Sequence, residues 1–239
     1  MYEQRPTDVI STSSRAEVTN AFMRGVYVWM AIGLLVTAGF AYATLTVPSL
    51  AYLVLPIGGS SGIYMGLLIA ELILVFVLSA SIHKLSSFTA TAMFLVYSAL
   101  NGMTLSAIML IYTSSSVFTA FLTAAGMFGA LSVYGLVTKR DLTGMGSFMA
   151  MGLFGLIIAM VVNMFLGSSK LDLGISIIGV LVFLGLTAYD TQAIRNMGES
   201  APMDDALAIR RGSIMGALKL YLDFINIFLM LLRLFGDRR

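Results

Sequence analysis

Apolar residues in this chain neither alternate with polar ones, as in a half-buried strand, nor recur at the spacing of a surface helix. They fill long, nearly unbroken runs. Six of these, Gly25–Thr46, Ile63–Ile82, Phe88–Ile111, Val117–Val137, Gly146–Leu166 and Leu173–Tyr189, have the length of about 17 to 25 residues with which a helix crosses a bilayer. A seventh, Ile214–Phe235, is long enough but holds Lys219, Asp223 and Arg233. The pattern predicts an all-α integral membrane protein, a seven-transmembrane-helix bundle over residues 25–235, with a cytoplasmic N-terminal tail, 1–24, and a C-terminal tail, 236–239.

Two connections are longer than the rest. Val47–Gly62 holds Pro48, Pro56 and a Gly-Gly-Ser-Ser-Gly run, which suits a flexible turn. Thr191–Arg211 mixes charges of both signs around Pro202 and reads as a loop able to move. The segment Met1–Asn20, rich in Ser, Thr and charge, reads as a mobile tail with room for a short interfacial helix. The first run follows it and is too long for a signal-peptide core, so it reads as a retained span.

Of 239 residues, 59% are hydrophobic and 11% charged, with a mean hydropathy of +0.94, where a soluble domain carries about 25% charged residues. A net charge of +2, spread over short loops, gives nucleic acid no surface to bind. The basic residues report orientation instead. Arg5, Arg15, Arg24, Lys84, Lys139, Arg140, Arg195, Arg210 and Arg211 fall on one set of loops and only Lys170 on the other, so the positive-inside rule places the N-terminus in the cytoplasm. With no cysteine, thiolate catalysis and cysteine metal sites are excluded.

Against this background three carboxylates stand out: Glu71, Asp190 and Asp223. A charge at the bilayer centre costs about 2.5 to 3.5 kcal/mol on insertion scales, so such groups face an interior or a partner. Asp190 closes the sixth span and Asp223 sits in the seventh. Antiparallel neighbours bring the two together near the inner surface, where close carboxylates in a dry site share a proton. The alternative is that each caps a helix end or pairs with a cation, Lys219 lying one turn before Asp223.

On the seventh helix Asp223, Asn226, Met230 and Arg233 fall on one stripe, which is turned toward the bundle interior, with Asn226 as a polar lining residue. If that helix spans fully, Arg233 reaches the level of Glu71 and an ion pair follows; a water-solvated Glu71 is the alternative. Asn101 and Asn163 read as interhelical hydrogen-bond groups. His83, the one histidine, reads as a headgroup-level residue that builds no zinc site alone. No Gly-x-Ser-x-Gly or Gly-Tyr/Leu-Gly-Asp sequence flanks these residues, and the chain reads as a non-enzyme with no cofactor.

Tyr97-Ser-Ala-Leu-Asn-Gly-Met-Thr-Leu-Ser, Gly126-Met-Phe-Gly-Ala-Leu-Ser-Val-Tyr-Gly, Thr138-Lys-Arg-Asp-Leu-Thr-Gly-Met-Gly, Leu186-Thr-Ala-Tyr-Asp-Thr-Gln and Leu220-Tyr-Leu-Asp-Phe-Ile-Asn with Leu231-Leu-Arg resemble the Bax inhibitor-1/YccA family, most closely its bacterial YbhL branch. The resemblance implies a pH-sensitive calcium leak controlled by paired aspartates, here Asp190 and Asp223, with calcium as the metal they meet, and an interhelical Glu71–Arg233 pair. The family's leak members also carry a latch arginine late in the second span. Here that segment reads Ser81-Ile-His-Lys-Leu, leaving His83 or Lys84 as the latch.

The expectation is therefore a pH-gated cation leak in the bacterial inner membrane, its partners being lipid, cations and protons. The alternative is a non-conducting regulatory protein that binds another membrane complex, such as a quality-control protease.

Overall fold

Lipid offers a backbone no hydrogen-bond partner, so each apolar run must close its N–H and C=O groups within a helix. The computed structural model describes residues 6–55, 61–81, 84–201 and 205–239. Among them the helices are α1 (Pro6–Thr46), α2 (Pro48–Val54), α3 (Ser61–Ser81), α4 (Ser87–Ile111), α5 (Ser114–Val137), α6 (Thr143–Leu166), α7 (Ser169–Glu199) and α8 (Ala206–Phe235). Seven of these, all but the short α2, are long and apolar enough to cross a membrane. The protein is the all-α, seven-span bundle its hydropathy predicts.

Three segments differ from expectation. Helix begins at Pro6, well inside the expected tail, and runs without a break into the first span. α7 continues to Glu199, through the first part of the expected loop Thr191–Arg211, and α2, with Pro48 in its first turn, occupies part of the turn expected over Val47–Gly62. Polarity along the sequence does not mark where a helix ends. In these polar stretches Arg195 pairs with Glu199 at 2.8 Å one turn on, and Arg15 of α1 donates to the carbonyls of Glu199 and Ala201 at 2.9 and 2.8 Å. The Glu199 carbonyl is among those a helix end leaves without partners.

Other ends are closed by local chemistry. Thr113 accepts from the Ser116 amide at 3.3 Å ahead of α5, and Asp205 accepts from the Ala208 amide at 2.8 Å ahead of α8. Before α6, Asp141 accepts from the Thr143 hydroxyl at 2.6 Å and its amide at 2.9 Å. Those bonds, the hydroxyl's first, hold the exposed Asp141 carboxyl below its ordinary range. α6 ends on Gly167 in the left-handed conformation, and Asn163 accepts from the Ser168 amide at 3.0 Å. Asn163 thus closes its own helix end rather than making the interhelical bond expected of it.

The chain divides into two compact units. The first comprises Met1–Ser106 and Ala193–Leu218. Its core holds Phe22, Val26, Phe94, Ile194 and Ile214, all nearly inaccessible. α1 meets α4 so closely that a Cβ on Gly102 would strike the carbonyl of Thr37, and the Thr37 hydroxyl donates to the Ser98 carbonyl at 2.9 Å. The end of α7 and start of α8 pack on α1 through Gly198 and Gly212, which flank the Phe22 ring. Arg210 lies over the Trp29 ring at 5.6 Å.

The second unit comprises Ala107–Gln192 and Lys219–Arg239. Phe121 and Phe128 of α5 meet Phe224 of α8 edge-on, at 5.3 and 5.7 Å between centroids. The C-terminal residues are tied down. Asp237 accepts from the Thr113 amide at 3.0 Å, the Arg239 amide donates to Ile111 at 2.8 Å, and the Asp237 amide donates to the Ser116 hydroxyl at 3.0 Å.

On α5, Gly135 lies so close to the Ala188 carbonyl of α7 that a side chain would collide with backbone, whereas Gly129 on the same helix has open space around its Cβ position. Gly135→Ala should lower stability by about 1 to 3 kcal/mol through overpacking. Gly129→Ala should be neutral or stabilising, because alanine is the better helix former by up to about 1 kcal/mol. Thermal unfolding of the two variants in one detergent checks the contrast.

Candidate functional site: carboxylates inside the helices

The segment Thr187-Ala-Tyr-Asp-Thr-Gln holds α7 in a fixed rotation. Ala188 meets Gly135 of α5, the Tyr189 ring lies against Gly146 of α6, and the Thr191 hydroxyl bonds that of Ser132 at 3.1 Å. Gln192 pins the connection between α5 and α6, accepting from the Leu142 amide at 2.9 Å and donating to the Arg140 carbonyl at 2.8 Å. With its neighbours committed to α5, α6 and their connection, Asp190 is left for α8. Its Oδ1 lies 3.4 Å from Lys219 Nζ.

Asp223 stands one helical turn after Lys219 on α8, among the buried Leu220, Tyr221, Phe224 and Ile227. It is 5% exposed, and its Oδ2 has no hydrogen-bond partner among the described residues. Lys219, four residues before it on the same face of α8, is the group that meets Asp190 of α7. The two aspartates are thus linked through Lys219. No direct hydrogen bond joins them among the described residues; Asp190 is held by Lys219 instead. Sequence reasoning had assigned the lysine to Asp223 as an alternative. Both partners are compatible with its position, and only the rotation of α7 decides for Asp190.

Glu71 belongs to the other unit. On α3 it is 8% exposed, accepting at Oε1 from the Thr104 hydroxyl at 2.8 Å and at Oε2 from the Asn101 amide at 3.4 Å. Tyr64 donates to the Thr104 carbonyl at 3.3 Å, and Asn101 Oδ1 is buried without a partner among the described residues. Beside this cluster lies a cavity of about 370 Å³ lined by Met65, Leu68, Ile69, Glu71, Leu72, Val75 and Tyr97. Asn101 bonds across helices as expected; Thr104 was missed, although its place three residues later puts both side chains on one face of α4.

The remaining candidates are dispersed. Arg233 is exposed and reaches Asp172 only at 4.0 Å, an arrangement worth about 0 to 1 kcal/mol. Of the stripe expected to face inward, Asp223 and Met230 are buried, while Asn226 is half-buried and Arg233 is exposed. The Asn226 amide donates back to the Leu222 carbonyl at 2.8 Å. Lys84 is exposed in the turn after α3, and His83 lies outside the described residues. Among the described residues, no three His, Cys, Asp or Glu side chains gather as a metal cage.

Residues 19–239 match the family model described as inhibitor of apoptosis-promoting Bax1. The chain belongs to the Bax inhibitor-1 family. It is 50% identical over 218 residues to the inner membrane protein YbhL of Escherichia coli K12, covering 91% of this chain and 92% of that one. An uncharacterized protein of Borreliella burgdorferi is 46% identical over 232 residues, 97% of this chain and 98% of its own. An uncharacterized membrane protein of Streptococcus pyogenes serotype M1 is 40% identical over 219 residues, 91% and 93% of the two chains. A family match that takes in α3 through α8 includes every carboxylate described above, and this family member is a multi-pass membrane protein.

Thr104→Val removes the shorter donor to Glu71 while keeping the side chain's shape. It should cost about 1 to 3 kcal/mol of stability, because a buried acceptor loses its bond, and Thr104→Ser should recover most of that. Thermal unfolding of the purified variants checks the prediction.

Proposed function

We propose that the protein is a non-enzymatic, proton-regulated cation leak of the bacterial inner membrane, with its N-terminus in the cytoplasm and Asp190, Lys219 and Asp223 as its switch. The observation that carries this reading is Asp223, a buried carboxylate with an oxygen lacking any partner among the described residues, next to a Lys219–Asp190 pair that spans two helices. With Asp223 protonated, the three groups sum to zero charge. With it ionised they sum to −1 in a setting with little water.

Two unit charges about 4 Å apart repel by about 4 kcal/mol at an effective dielectric near 20, and nearby Lys219 offsets part of this. What remains is of the size of an allosteric coupling, about 1 to 3 kcal/mol. Removing the proton therefore favours a state in which the carboxylates part and meet water and cations. Calcium is the cation that family resemblance suggests.

Purified protein in liposomes, assayed for calcium, potassium and proton flux over a pH series, tests this reading. Flux should rise with pH, and Asp223→Asn, neutral at every pH, should flatten the dependence. Absence of flux at every pH, or full pH dependence in the Asp190→Asn/Asp223→Asn double variant, contradicts the leak and leaves the role of a membrane regulator binding another complex.

A further inference from the structure

Paired carboxylates among apolar helices invite a metal ion, yet this pair already has a cation attached to the chain. Lys219 and Asp223 are four residues apart on α8, where side chains share a face, and Lys219 Nζ is 3.4 Å from Asp190 Oδ1 on α7. The side chain of Asp190 is 14% exposed and that of Lys219 41%, so the ammonium reaches in from the accessible edge. Lysine carries three donors on a flexible four-carbon stem. The buried Asp223 Oδ2 is bonded by no group among the described residues, Lys219 included, and lies one turn along the same helix face from that ammonium.

We infer that Lys219 is the resident cation of the Asp190/Asp223 pair, holding by its ammonium the place a divalent ion would take and closing that place to metal. The two carboxylates offer up to four oxygens to a hard cation, a usable partial shell once water completes it. With the ammonium in place, one carboxylate is engaged and a second positive charge is repelled at short range. Lys219 is thus the residue that sets what the pair accepts, and a permeating ion must displace it. The functional meaning rests on the leak proposed above; the metal exclusion does not.

The test reads binding at one fixed neutral pH and no flux. Manganese(II), a paramagnetic probe with oxygen preferences close to those of magnesium and calcium, is titrated into protein in lipid nanodiscs and followed by electron paramagnetic resonance. Wild type and Asp223→Asn should bind it equally weakly. Lys219→Met and Lys219→Gln should each tighten binding by at least about tenfold, a gain abolished by adding Asp223→Asn, whereas Lys219→Arg should stay at the wild-type level. Unchanged binding in the methionine and glutamine variants overturns the inference, as does tightening that survives Asp223→Asn. Wild-type binding already sensitive to Asp223→Asn also overturns it, without requiring any lysine variant to fold. Failure of the leak would appear elsewhere, as absent flux with the manganese results intact.

Discussion

A polar group inside an apolar helix bundle must find its compensation among the groups packed beside it, since lipid supplies none. Each carboxylate here meets that constraint differently. Glu71 is held by neutral donors, a hydroxyl and an amide from α4. Asp190 is held by an ammonium from α8. Asp223 is left with one buried oxygen unbonded among the described residues. That incomplete compensation is the ground on which Asp223 is proposed as the switch.

The small residues make these arrangements possible. Gly102 lets α4 close on α1, in the unit where α4 offers Asn101 and Thr104 to Glu71. Gly135 and Gly146 let α7 close on α5 and α6, which commits the neighbours of Asp190 and leaves that residue to Lys219. Without a hydrophobic force between helices in lipid, such close backbone approach is a main source of association. The same contacts therefore stabilise the fold and aim its carboxylates.

The seven spans were legible because apolar run length and helix length are tied by the thickness of the bilayer. Helix beyond the apolar runs was not: residues 6–24 and 191–199 are more polar, and hydropathy reports solvent rather than backbone. The Arg195 and Glu199 spacing was the available signal, an i, i+4 pair that supports helix in water. The neighbourhood of Asp190 and Asp223 was legible from antiparallel order and motif. The choice of Asp190 by Lys219 was not, because it depends on the rotation of α7, fixed by contacts far apart in sequence. Thr104 shares its face with Asn101, but nothing in the sequence said that this face meets Glu71.

In the proposed switch, Asp223 carries a proton which it gives up as pH rises. Infrared difference spectroscopy of the protein in lipid, recorded between low and high pH, observes that proton directly through the stretch of a protonated carboxyl group. The account predicts a band present at low pH, absent in Asp223→Asn, whose titration midpoint coincides with that of cation flux. A spectrum with no such band, or one that persists unchanged in Asp223→Asn, would contradict it.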